Sequence, residues 1–144
     1  MTRILFVCTG NTCRSPMAEA LLNSKKIPGV EVKSAGVYAV SGSDASPNAK
    51  IVMHENQLAH NHRSTLLTEK EVEWATLILT MTSSHKAAVV SSFPHSAGKT
   101  FTLKEFAGDK NNPDIGDPFG GTVDIYRAAY YEIKEAIEKA LEKF

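Results

Sequence analysis

The chain has 144 residues, 42% of them hydrophobic and 22% charged, and its 16 basic and 16 acidic side chains leave no formal net charge. That is the make-up of one soluble globular domain, residues 1–144, large enough to bury a sizeable core. The charge balance excludes a general attraction to nucleic acid or to an anionic membrane, so any pull on an anion must be local.

No apolar stretch approaches the roughly 18 residues needed to cross a bilayer. Met1-Thr2-Arg3 leads straight into the first apolar run without a leader pattern, and both cysteines, Cys8 and Cys13, fall in one short loop. A cytoplasmic protein whose thiols serve chemistry rather than a disulfide framework is expected.

Ile4-Leu5-Phe6-Val7 is short and apolar and predicts a buried strand. A polar loop from Cys8 to Arg14 follows. A helix comes next, with Ser15 as its cap, Pro16 at its first position and Met17-Ala18-Glu19-Ala20-Leu21-Leu22 as its body. Ile27-Pro28-Gly29 reads as a turn, and Val30 to Ala35 alternates like a second strand. Gly36 to Ser46 is a loop, Pro47 opens a helix to about Asn56, and Leu58 to Leu67 is irregular. Thr68-Glu69-Lys70-Glu71 starts a short helix before Trp74, and Ala75 to Met81 is a third strand.

Ser83 or Ser84 caps a helix reaching about Ser92, and Lys99 to Leu103 forms a fourth strand. Tyr126, Tyr130, Ile133, Ile137 and Leu141 recur at helical spacing and close the chain with an amphipathic helix beginning near Thr122. Strands alternating with helices predict an α/β fold, a four-stranded parallel sheet with helices on both faces. Ligands of such sheets sit beyond the C-terminal strand ends, where Cys8 falls.

Each residue type in the first loop suits one chemistry. Amides at a helix N-terminus have no intrahelical partners and attract anions. A thiolate is a strong nucleophile, and a helix N-terminus and a guanidinium both favour it over the thiol. Arg14 offers a planar fork that matches two phosphate oxygens. Gly10 and Asn11 tolerate the left-handed backbone that turns several amides inward. Ser15 can cap the helix or hold the thiolate. The plain alternative is that Cys8 is a core cysteine ending a strand. The Gly, Asn, Arg and Ser around it favour a phosphate cradle with sulfur at its floor.

Cys8-Thr9-Gly10-Asn11-Thr12-Cys13-Arg14-Ser15-Pro16 resembles the signature of the low-molecular-weight protein tyrosine phosphatases. With Thr at position 12 it looks most like the bacterial protein arginine phosphatase branch of that family. Near the other end, Asp117-Pro118-Phe119-Gly120 is similar to the family's general-acid motif, so the resemblance spans the chain. By itself Asp-Pro is a common turn element. Asp114, the nearest competitor, does not precede a proline.

The resemblance implies a hydrolase working through a phosphocysteine on Cys8, with Asp117 as acid and then base. Arg14 and the loop from Thr9 through Gly10, Asn11, Thr12 and Cys13 to Ser15 would hold the phosphoryl oxygens, and Phe119 would line the cleft. Asn11 would keep the loop in shape and Ser15 would stabilise the thiolate. His62 either braces Asn11, as a family histidine does, or is an exposed polar residue. No cofactor or metal is needed. His54, His60 and His62 lack a regular ligand spacing and predict no metal site. Cys13 either forms a redox-sensitive disulfide with Cys8 or simply packs.

Tyrosine-directed members usually carry Ile where this chain has Thr12, and those of the eukaryotic type often have two tyrosines after the Asp-Pro, where this chain has Phe119-Gly120. Tyr130-Tyr131 lie too far downstream and read as core and surface positions of the last helix. The expected substrates are therefore proteins phosphorylated on arginine, with phosphotyrosine proteins as the alternative. An arsenate reductase would need further cysteines, and a phosphoprotein-binding module would need neither Cys8 nor Asp117. The arginine reading further implies an enzyme opposing a protein arginine kinase in bacterial stress control.

Overall fold

The computed structural model describes all 144 residues. Strand β1 (Thr2–Cys8) pairs in parallel on one side with β2 (Val30–Gly36) and on the other with β3 (Leu77–Thr80), and β4 (Thr100–Thr102) continues from β3. The order β2-β1-β3-β4 gives the four-stranded, all-parallel sheet that the alternation of elements predicts. The chain leaves β1 toward β2 and then crosses back over β1 to β3. The crossing direction therefore reverses at the C-terminal end of β1, the place where parallel sheets open a crevice.

Side chains of β1 alternate between two apolar layers. Ile4, Phe6 and Cys8 enter a cluster of 24 buried residues with α1 (Arg14–Ser24), α2 (Pro47–Glu55) and α6 (Val123–Ala140). Leu5 and Val7 enter the opposite cluster of 8, with Val72 of α3 (Glu69–Trp74) and Val89 of α4 (Ser83–Ser92). One layer is thus three times the size of the other. The predicted stripe of α6 faces the larger one: Tyr126, Tyr130, Ile133 and Ile137 are buried there, whereas Tyr131 is exposed.

Several boundaries differ from expectation. Ser15 does not cap α1. The helix begins at Arg14, the half-in residue is Cys13, and Ser15 and Pro16 lie inside the first turn. The Ser15 hydroxyl is taken up by other side chains, described below. Thr82, not Ser83 or Ser84, caps α4 by accepting from the His85 amide. The third strand is confined to Leu77–Thr80. The fourth ends at Thr102, because Thr102 and Glu105 form a reciprocal capping box that starts the short helix α5 (Leu103–Phe106). A 3-10 turn, Pro94–Lys99, precedes β4, and another, Leu141–Lys143, takes Leu141 out of α6.

Candidate active site

β1 carries Cys8 to the reversal point and the chain curls from Thr9 to Cys13 before entering α1. The loop's carbonyls are occupied from outside it. Val37 and Tyr38 amides donate to Cys8 and Thr9, the Ser46 amide donates to Thr12, and the Met17 amide donates to Cys13. The amides of Thr9 to Cys13, in contrast, donate to no backbone carbonyl. A run of free N–H groups at a helix N-terminus is an anion-binding nest, and the loop builds one above the Cys8 sulfur.

Asn11 makes the curl possible. Its φ of 56° is left-handed, and it is fully buried. Its side chain accepts from the Thr65 amide at 2.9 Å and donates to the hydroxyls of Ser15 and Ser34, each at 2.8 Å. Three bonds hold a backbone geometry that costs a non-glycine residue about 1–2 kcal/mol. Gly10, expected to share the left-handed turn, does not take a positive φ. The glycine that the loop requires is Gly36, at the end of β2. A Cβ there would meet the Thr9 carbonyl at 2.5 Å and the Asn11 amide nitrogen at 2.8 Å.

The Cys8 sulfur lies 2.8 Å from the Ser15 hydroxyl. That hydroxyl already accepts from Asn11, so its own hydrogen is free to donate to sulfur. Arg14 is buried and its Nη1 donates to the Ile115 carbonyl at 2.8 Å, while Nη2 stands 3.6 Å from the Asp117 carboxylate. The Arg14 Nε has no partner in the protein. Asp117 is half exposed, and its other oxygen accepts from the Phe119 amide at 3.0 Å. Asp114 is occupied elsewhere: its carboxylate accepts from the Ser83 amide at the start of α4, at 2.7 Å.

Cys8, Thr9, Gly10, Thr12, Cys13, Arg14, Asp117 and Phe119 together line one cavity of about 230 Å³. The loop and the Asp-Pro segment, more than 100 residues apart in sequence, thus meet across a single cleft. Phe119 is 76% exposed at its rim. The Cys13 sulfur sits among hydroxyls at the cavity wall, 3.3 Å from that of Tyr126 and 3.5 Å from that of Ser46. Burial and the contact with Cys13 raise the Tyr126 hydroxyl above the usual tyrosine range.

His62 is buried, and its Nε2 lies 2.5 Å from the Asn11 carbonyl, so it braces the loop through the backbone rather than through the asparagine side chain. His85 was not singled out from sequence. Its Nε2 is 2.8 Å from the Thr9 hydroxyl, and its Nδ1 is buried without a partner. Burial, with the Arg14 charge as a second cause, lowers its pKa to about 4. The signal for it was positional: a polar side chain just past the C-terminal end of a parallel strand. Ser34 and Glu19 were also missed. Ser34 links Glu19 to the loop, accepting from Asn11 and donating to the Glu19 carboxylate. Of the three histidines read together, His60 and His62 do come together, with Glu19 rather than with His54.

The arrangement offers a sulfur nucleophile, a cradle of amides, a fixed guanidinium and a carboxyl group across one cleft, which is equipment for phosphoryl transfer through sulfur. Comparison with known proteins agrees with that chemistry. A protein-arginine-phosphatase of Geobacillus stearothermophilus is 55% identical over 141 residues, covering 98% of this chain and 95% of its own. One from Bacillus subtilis is 45% identical over 139 residues, covering 94% and 92%. The solved structure of the YwlE arginine phosphatase from Geobacillus stearothermophilus superposes with a TM-score of 0.96 at 54% identity, covering 99% of this chain and 92% of that one. The family described as low molecular weight phosphotyrosine protein phosphatase matches residues 3–144, a span that holds both the Cys8 loop and the Asp117 segment, and the chain belongs to that family.

Proposed function

We propose that the chain is a protein-arginine phosphatase, with Cys8 as nucleophile and Asp117 as general acid and base. The observation that carries the reading is Thr12: its side chain lines the same cavity as Cys8, Arg14 and Asp117. An aliphatic side chain there would pack against a phenol ring, whereas a hydroxyl suits a guanidinium or a hydrolytic water. The arginine-phosphatase names of the two relatives support the same substrate.

In the first step the Cys8 thiolate attacks phosphorus in line while the P–N bond breaks. Asp117 gives its proton to the departing guanidine nitrogen, a strong base that leaves poorly without one. In the second step water attacks the phosphocysteine, Asp117 takes a proton from it, the S–P bond breaks and inorganic phosphate leaves. The free amides of Thr9 to Cys13 and the unpartnered Arg14 Nε supply donors to the equatorial oxygens in both steps. Ser15 stabilises the thiolate, and Asn11, His62 and His85 keep the loop in position.

In the cell this activity would oppose a protein arginine kinase in the cytoplasm, as part of stress control. The family resemblance supports that role. A reversible disulfide between Cys8 and Cys13, free thiols five residues apart on one curled loop, would shield the nucleophile from over-oxidation or inactivate it.

Phosphotyrosine is the second reading, favoured by the exposed Phe119 ring on which a phenol can pack. Phosphate release from an arginine-phosphorylated protein and from a tyrosine-phosphorylated peptide, measured side by side with Cys8→Ser as blank, separates the two. The arginine substrate should be preferred, and Thr12→Ile should cut that preference by about tenfold or more, the scale of one altered pocket contact. Preference for phosphotyrosine in the unaltered chain would overturn the arginine reading. Turnover that persists in Cys8→Ser would overturn the mechanism.

A further inference from the structure

Behind the phosphate loop, on the side away from the catalytic cavity, Glu19 of α1 meets His60 and His62 of the 58–67 segment. His60 Nε2 is 3.2 Å from His62 Nδ1 and 3.6 Å from the Glu19 carboxylate, which lies 3.9 Å from His62 Nδ1. The centre of the triangle these atoms form is about 2.1 Å from each, and an ion lifted out of that plane into a tetrahedral site stands about 2.2 Å away, within about 0.2 Å of zinc's bonds to imidazole and carboxylate. The His60–His62 contact is also a hydrogen bond, and an ion bound here would take the place of its shared hydrogen.

We propose that Glu19, His60 and His62 form a three-ligand site for a divalent transition-metal ion of zinc type, with the fourth position open to the adjoining cleft. Two neutral imidazoles and one carboxylate suit zinc or cobalt(II), and the outer contacts suit them too. A metal on His62 Nδ1 requires the hydrogen on Nε2, which is the tautomer that donates to the Asn11 carbonyl. Glu19 is oriented by the Ser34 hydroxyl, which in turn accepts from the Asn11 side chain. Both outer contacts therefore end on Asn11, the left-handed residue of the loop, so an ion here clamps the loop from behind. The adjoining cleft is lined by Lys33, Arg63 and Lys70 but also by Glu71 and Glu73, so its other charges nearly cancel. The proposal rests on this geometry and not on the identity of the substrate.

Thiols bind zinc as well, so the test uses the full chain with Cys8→Ser and Cys13→Ser. Cobalt(II) titrated into that protein should give the strong visible absorption of a tetrahedral ion at one equivalent, displaced by zinc. Added zinc should also raise the melting temperature. Introducing His60→Ala, or the shape-preserving Glu19→Gln, should weaken cobalt binding by at least about 100-fold, a ligand's loss exceeding the 10–100-fold typical of outer contacts. Circular dichroism checks that each variant is folded, and Glu19→Gln decides the matter if His60→Ala is not. Two results would overturn the site: no tetrahedral spectrum in this cysteine-free protein, or a spectrum unchanged in folded Glu19→Gln.

Discussion

A buried imidazole beside a guanidinium has two reasons to stay neutral, and His85 has both. Taking it out of water disfavours the charged ring, and Arg14 repels it, so its pKa falls to about 4. The unfolded chain protonates His85 as pH drops below the ordinary 6.5, while the folded chain does not until about 4. Stability is therefore complete above 6.5 and is lost as pH falls across that window, by roughly 2–3 kcal/mol for this residue. Urea unfolding at a series of pH values should show His85→Gln losing less than the unaltered chain between 6.5 and 4. Glu19, His60 and His62 titrate in both proteins, so the difference isolates His85. Parallel curves would mean that the ring is protonated in the folded state. Cys8, Arg14 and Asp117 stood out as candidates through residue type and local motif, and the structure brings all three to one cavity. His85, Ser34 and Glu19 did not stand out, because each acts through a neighbour supplied by folding: Thr9, Asn11 and the two histidines.

Strand β2 shows how an element is shaped by what lies across it. Its last residue must be glycine, because the backbone of Thr9 and Asn11 passes over it too closely for a Cβ. Gly36→Ala has no flexible side chain to push aside; it must displace the phosphate loop itself. A shift of about 1 Å in positioned catalytic groups can cost about 100-fold. Gly36→Ala should accordingly lower kcat/KM by about that factor in a protein that still folds, as checked by steady-state kinetics beside a thermal melt. Unchanged kinetics would show that the loop accommodates the methyl group. From the sequence Gly36 read only as the start of a loop, since the clash is with residues 25 or more positions away. Termini with local chemistry were legible by contrast: Thr68 and Glu71 begin α3 as expected. The same pattern at Thr102 and Glu105 could have ended β4 correctly, but the apolar Leu103 reads equally as strand or helix.

At the scale of the whole molecule, the alternation of strands and helices implied parallel pairing and two covering layers, and both are present. Strand order was not legible, because neighbours pair through backbone groups that every residue carries; nor was the facing of β1, whose run Ile4-Leu5-Phe6-Val7 is apolar on both faces. Nor was the disparity between the layers, which has a consequence for dynamics. The layer of 24 buried residues ties α1, α2 and α6 to the sheet, whereas α3 has six residues, of which only Val72 is buried. Its C-terminal end is held by the Lys99 ammonium, which donates to the carbonyls of Val72 and Ala75 at 2.6 Å each. Segments with few buried apolar contacts open locally at less than the global cost. Native-state hydrogen exchange should therefore release the amides of α3 through an opening at least about 2 kcal/mol cheaper than that of β1 and α6. Equal protection in the three elements would mean that the thin layer unfolds only with the sheet. The expected gap would instead leave the Cys8 cavity intact while α3 opens, because Cys8 belongs to the thicker layer and Arg14 is held by Ile115, itself bonded to Met81 just past β3.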